Sequence, residues 1–163
     1  MYLSSILDKL FSKTLSLYND SIPVPINSDI TVLFSHVKNS DIWINMRDNI
    51  SIGLDNLRIN GILSSFSCYL GRFKDRLGRI GISGFLGYDD ILYIILDSHT
   101  VNLFIKPQIV QDRCLLDGNS IEEAYHKSME TYRRLLKKYD NDLRYAPYIF
   151  HNMLHKVYYI YRT

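Results

Sequence analysis

His151 and His155 stand four residues apart near the end of the chain. On a helix that spacing puts both imidazoles on one face, where they can hold a metal ion. No acidic residue lies between them and apolar neighbours surround both, so they read as packed or half-buried histidines. Asp97-Ser98-His99 sets a carboxylate beside an imidazole, the beginning of a histidine-centred hydrolase or nuclease site. Aspartate and serine are also what a tight turn selects. Asp89-Asp90, with Asp97 close by, are of the type that holds a divalent cation on a loop rim, but acidic residues flanking an apolar strand also serve as solubilising gatekeepers. His36 and His126 have no partner by spacing. These sets, taken along the chain, assemble no catalytic group, and neither a metal nor a cofactor is expected.

Backbone-based chemistry points to one segment. Five of the eight glycines fall between Gly71 and Gly87, among Arg72, Lys74, Arg76 and Arg79. A phosphate cradle needs glycines that turn backbone N–H groups inward ahead of a helix. The Walker pattern needs Gly-Lys-Ser/Thr, which is absent. The dinucleotide fingerprint needs G-x-G-x-x-G between strand and helix. Gly78-Arg79-Ile80-Gly81 and Gly81-Ile82-Ser83-Gly84 have the Gly-x-x-Gly spacing of loops that clamp nucleic-acid backbone. Gly81-Ile82-Ser83-Gly84-Phe85 misses the nucleophile elbow, because phenylalanine stands where that turn needs glycine. The segment reads best as a turn and a twisted strand pair with glycines at close packing points, so alanine at Gly78 to Gly87 is expected to damage folding first.

Charge is nearly balanced. There are 19 basic and 17 acidic side chains, a net of +2, too little to argue for nucleic acid by itself. Arg133, Arg134, Lys137 and Lys138, interleaved with Tyr132 and Tyr139, have the basic-plus-aromatic composition of a nucleic-acid surface. Complementation of a helix dipole explains the same residues. Thirteen tyrosines are unusual for 163 residues, and six lie between Tyr139 and Tyr161. Tyrosine gives large contact area at low entropy cost and is enriched at protein interfaces. If Tyr158, Tyr159 and Tyr161 are helical, about 100° separates neighbouring positions and Tyr159 faces outward.

The elements that must position these residues follow from periodicity. Leu3, Ile6, Leu7, Leu10, Phe11, Leu15 and Tyr18 predict an amphipathic helix over 3–18. Pro23 and Pro25 enforce an extended connector. Residues 29–116 read as a mostly antiparallel sheet of five or six strands, with Ile91–Leu96 as the central strand, a turn at 97–100 and a return strand ended by Pro107. Ser120 and Glu123 form a capping box that opens a helix over 120–139, and Pro147 suits the first turn of a last helix over 147–161. The layout is one α+β domain, 1–163, with the two final helices packed on the sheet. Cys68 and Cys114, among apolar neighbours, read as free buried thiols, which favours a reducing compartment. No apolar run reaches the ~20 residues of a membrane span, and the expected location is the cytoplasm with no membrane partner.

The function expected from these observations is a non-catalytic protein-binding module. Its concrete form is a cytoplasmic immunity or inhibitor protein that neutralises a toxin, using Asp89, Asp90, Asp140, Asp142 and Tyr159 against a basic partner. A nucleic-acid binder would instead use Arg72, Lys74, Arg76 and Arg79 with Arg133, Arg134, Lys137 and Lys138. A small hydrolase or nuclease would be built around a histidine such as His99.

Overall fold

The computed structural model describes residues 24–38, 41–45, 50–95 and 100–161; the helix expected over 3–18 and the turn containing Asp97 and His99 lie outside them. Strands β1 (Val24–Phe34), β5 (Leu57–Phe66), β6 (Ile82–Tyr88) and β7 (Lys156–Ile160) form a mixed sheet in the order β1-β5-β6-β7. The first three run parallel and β7 is antiparallel to β6. Strands β2 (His36–Lys38), β3 (Asp41–Asn45) and β4 (Ile50–Gly53) make a separate antiparallel three-stranded sheet.

The α+β class therefore stands, but a single antiparallel sheet of five or six strands does not. The reason is in the connections. Parallel neighbours need a crossover of about a dozen residues or more. The chain supplies one between β1 and β5, containing β2–β4, and another between β5 and β6, containing a 3-10 turn (Leu70–Phe73) and helix α1 (Lys74–Arg79). Among the described strands β1 lies at the edge of its sheet, a position where Pro25 is tolerated.

Three further expectations are corrected. The central strand is β6, with six of its seven residues buried, and residues 91–95 carry no regular secondary structure. Their backbone is satisfied by side chains: Tyr93 N–H donates to Asn152 Oδ1 at 2.9 Å, and Asn152 Nδ2 donates back to Tyr93 O at 2.7 Å. Residues 101–116 form helix α2 (Val101–Leu116) with Pro107 inside it. The helix expected over 147–161 is a shorter helix, α4 (Ala146–Leu154), followed by β7. Helix α3 (Ile121–Tyr139) matches its expectation, including the reciprocal Ser120–Glu123 capping box.

Apolar residues pack on both faces of the sheet. Leu57, Ile59, Leu63, Ile82 and Phe85 pack with Leu70, Leu77 and Ile80 from the α1 region. Ile62, Leu86 and Tyr158 pack with Cys114 and Leu115 of α2 and with Ile121 and Ala124 of α3. Phe66, Tyr88, Phe104, Tyr132, Leu135 and Ile149 form a third cluster joining sheet and helices. Period-two alternation along β7 sends Val157 and Tyr159 to one cluster and Tyr158 to another. Both cysteines are free, Cys114 buried and Cys68 half-buried. Among the described residues, no helix is long and apolar enough to cross a membrane.

Candidate functional site

Two polar clusters emerge from this fold, and both join residues far apart in the chain. The first lies where β6 ends, α4 ends and β7 begins. Asp89 and Asp90 follow directly on Tyr88, the last residue of β6, and His155 caps the C-terminus of α4 with His151 one turn earlier. His155 Nδ1 lies 3.0 Å from Asp89 Oδ1, and His155 Nε2 lies 3.8 Å from Asp90 Oδ2. Asp90 Oδ1 accepts from Arg72 Nη2 at 2.9 Å and from the Ile91 N–H at 2.8 Å. His151 Nε2 is 3.1 Å from Ile91 O, and the two imidazole rings have their centroids 4.4 Å apart. The backbone ties the same place together, since the Asp89 N–H donates to His155 O at 3.0 Å.

The second cluster is buried. Ser64 of β5 donates to Asp112 Oδ1, while Gln108 Nε2 and Gln111 Nε2 donate to Ser64 Oγ at 2.8 and 2.7 Å. Gln108 Nε2 also reaches both Asp112 oxygens at 2.9 and 3.1 Å. Lys156 Nζ donates to Gln108 Oε1 at 3.4 Å and sits 4.1 Å from the centre of the Tyr88 ring. Burial pushes the Asp112 carboxyl up, while its donors Ser64 and Gln108 and the charge of Lys156 pull it back. Burial pulls the Lys156 ammonium down against the attraction of Asp112. Every member of the set is buried. It ties α2 to β5 and β7 through a buried hydrogen-bond network. A Lys, an Asp and two Gln are ordinarily surface residues, so composition could not reveal it; the helical spacing of Gln108, Gln111 and Asp112 was the available signal.

The residues expected to bind a partner are placed unevenly. Asp89 and Asp90 stand together, engaged by His155 and Arg72 as above. Asp140 and Asp142 lie in the turn between α3 and α4; Asp140 accepts from Asn141 Nδ2 at 3.0 Å. Arg144 Nη2 pairs with Asp142 Oδ2 at 2.8 Å and holds that carboxyl below its ordinary range. Tyr159 is half-buried: its ring stacks on Phe85 at 5.8 Å and its hydroxyl donates to Gly71 O at 2.9 Å.

The basic residues are divided likewise. Arg76 pairs with Asp55 at 2.5 Å and lowers that carboxyl, Arg72 pairs with Asp90, and Lys74 Nζ sits 5.0 Å over the Tyr159 ring. Arg79 lines a shallow depression with Asp55, Arg58 and Ile80. Acidic partners thus interrupt the first basic segment. Arg133, Arg134, Lys137 and Lys138 are exposed on α3, but Tyr132, expected beside them as a stacking surface, is fully buried with its hydroxyl 2.8 Å from that of Tyr88. His126 is exposed, 3.8 Å from Glu122. The chain matches no protein-family model, and no curated protein or solved structure is similar to it, so its function is argued from this geometry.

Proposed function

We propose that the protein is a non-catalytic protein-binding module whose contact surface is the outer face of α4. The observation that carries this reading is an apolar stripe turned to solvent. Pro147, Phe150 and Leu154 fall on one side of α4 by helical spacing, with Phe150 51% and Leu154 63% exposed. Ile149 and Asn152 occupy the buried side. Leu143, in the turn before α4, is 82% exposed. Large apolar side chains spaced along one helix face cost solvation unless a partner covers them, and such a face is the form of a helix-mediated contact. Asp140 borders the stripe in sequence and favours a partner with a basic group at its rim, whereas Asp142 is already paired with Arg144. The concrete form of this reading is an inhibitor or immunity protein that covers the active surface of a toxin.

The chain purified from its native host should carry one stoichiometric protein partner. With that partner purified, Phe150→Asp combined with Leu154→Asp should weaken the complex by at least a hundredfold while the far-ultraviolet circular dichroism stays that of the wild type. A wild-type chain that purifies without a partner, or a double variant that binds with wild-type affinity, overturns the reading.

A further inference from the structure

Two aspartates and two histidines converge at the β6–α4–β7 junction. One nitrogen from each of His151 and His155 and one oxygen of Asp90 lie within 4.8 Å of one another. Each of the three residues is also fixed by its other polar atom. Asp90 Oδ1 is taken by Arg72 and the Ile91 N–H, which leaves Oδ2. His155 Nδ1 is taken by Asp89, which assigns the proton to Nδ1 and leaves the Nε2 lone pair. His151 Nε2 is taken by the Ile91 carbonyl, an acceptor only, which leaves the Nδ1 lone pair. A carboxylate or carbonyl behind each imidazole is the arrangement that orients histidine ligands and raises their basicity.

We infer that Asp90, His151 and His155 form a site for a divalent transition ion, Zn2+ first, with Asp89 and the Ile91 carbonyl as its orienting partners. Two borderline imidazoles with one carboxylate suit Zn2+ better than the hard ions Ca2+ and Mg2+, which take all-oxygen sites. Ligands about 2.1 Å from a tetrahedral ion stand roughly 3.4 Å apart. The 3.8 Å between His155 Nε2 and Asp90 Oδ2 is thus a few tenths of an ångström from the working distance. The other separations between the ligand atoms are at most 4.8 Å, and the groups are partly open to solvent, with His155 29% and Asp90 25% exposed. Asp89 and Asp90 offset the charge of the ion against that of Arg72. Three protein ligands leave the fourth position to water or to a ligand from a partner. The bound ion cross-links residues 60 or more positions apart and pins the end of α4 to the end of β6. The ion site and the exposed apolar stripe of α4 share no residue.

Zn2+ titrated calorimetrically into the full chain, after removal of metal with a chelator, should bind at one ion per chain with a Kd of about 1 µM or below, and Co2+ should give visible absorption of a tetrahedral site. His151→Gln and Asp90→Asn should each weaken Zn2+ binding by at least a hundredfold, and Asp89→Asn by about ten- to a hundredfold, the cost of losing an orienting partner. Wild-type affinity in both His151→Gln and Asp90→Asn overturns the inference. Nitrogen NMR of the wild-type imidazoles gives the same answer without any variant. The signals of His151 and His155 should move on addition of Zn2+ while that of His126 stays; movement of all three alike, or of neither His151 nor His155, overturns it.

Discussion

At the scale of single residues, the stability of this protein depends on polar groups in places where an apolar residue would be expected. The clearest case is the pair Tyr88–Tyr132. Both side chains are fully buried and their hydroxyls lie 2.8 Å apart. Tyr132→Phe leaves the Tyr88 hydroxyl in the core with its partner gone, which should cost about 1–3 kcal/mol. The double change Tyr88→Phe with Tyr132→Phe removes both hydroxyls and should cost less than the two single changes added, as read from urea midpoints; strict additivity would show that the hydroxyls do not depend on each other. The same burial holds Tyr132 well above its ordinary value of 10. The native state keeps that proton where the unfolded chain releases it, so stability falls as pH rises above about 10. Part of this was legible in the sequence. The chemistry of His151 with His155 and of Asp89 with Asp90 was visible as two separate pairs. Their meeting was not, because it depends on β7 doubling back along β6 and on nothing local to either pair.

At the scale of elements, local signals succeeded where they were complete. Ser120 and Glu123 defined the start of α3 because a capping box satisfies two orphan N–H groups by itself. Helix α2 was hidden by Pro107 and by a run of Val, Leu, Phe and Ile that suits a strand equally well. Its stop signal was present at Gly118. There the φ of +83° and the bonds Gly118 N–H to Leu115 O at 2.9 Å and Asn119 N–H to Cys114 O at 3.2 Å complete a glycine-terminated helix end. Residues 156–160 were read as helix because Val and Tyr at close spacing fit either period; pairing with β6 decided between them. Gly81 and Gly118 permit a measured comparison. Both have positive φ, but a Cβ at Gly118 would meet nothing within 4 Å, whereas one at Gly81 would sit 3.2 Å from Ile59 O. Gly118→Ala should cost about 1 kcal/mol, the conformational term alone. Gly81→Ala should cost about 1 kcal/mol more, because the backbone of β5 must give way where β6 begins. Equal costs would show that the turn before β6 relaxes freely.

At the scale of the whole molecule, the sheet is completed from the two ends of the described chain. Alternation in a sequence says which face a residue takes, not which strand lies beside it, so the order β1-β5-β6-β7 could not be read in advance. That order makes β7 the element on which the rest depends. It covers one side of the most buried strand: Tyr159 stacks on Phe85, and Tyr158 packs against Tyr125 of α3 with ring centroids 4.8 Å apart. Lys156 enters the network of Ser64, Gln108 and Asp112, and the β7 backbone pairs with Gly84 through Tyr88. Ending the chain at Leu154 would strip all of these at once. The pairing groups of β6 would become an open edge next to fully buried Phe85, Leu86 and Tyr88. The expected loss exceeds about 5 kcal/mol, the lower end of the stability of a small domain. The truncated chain should therefore show no cooperative urea transition and should bind a dye for exposed apolar surface in buffer alone. A sigmoidal transition with the midpoint and slope of the full chain would mean that β1, β5 and β6 with their helices form a self-sufficient core and that β7 is an accessory edge.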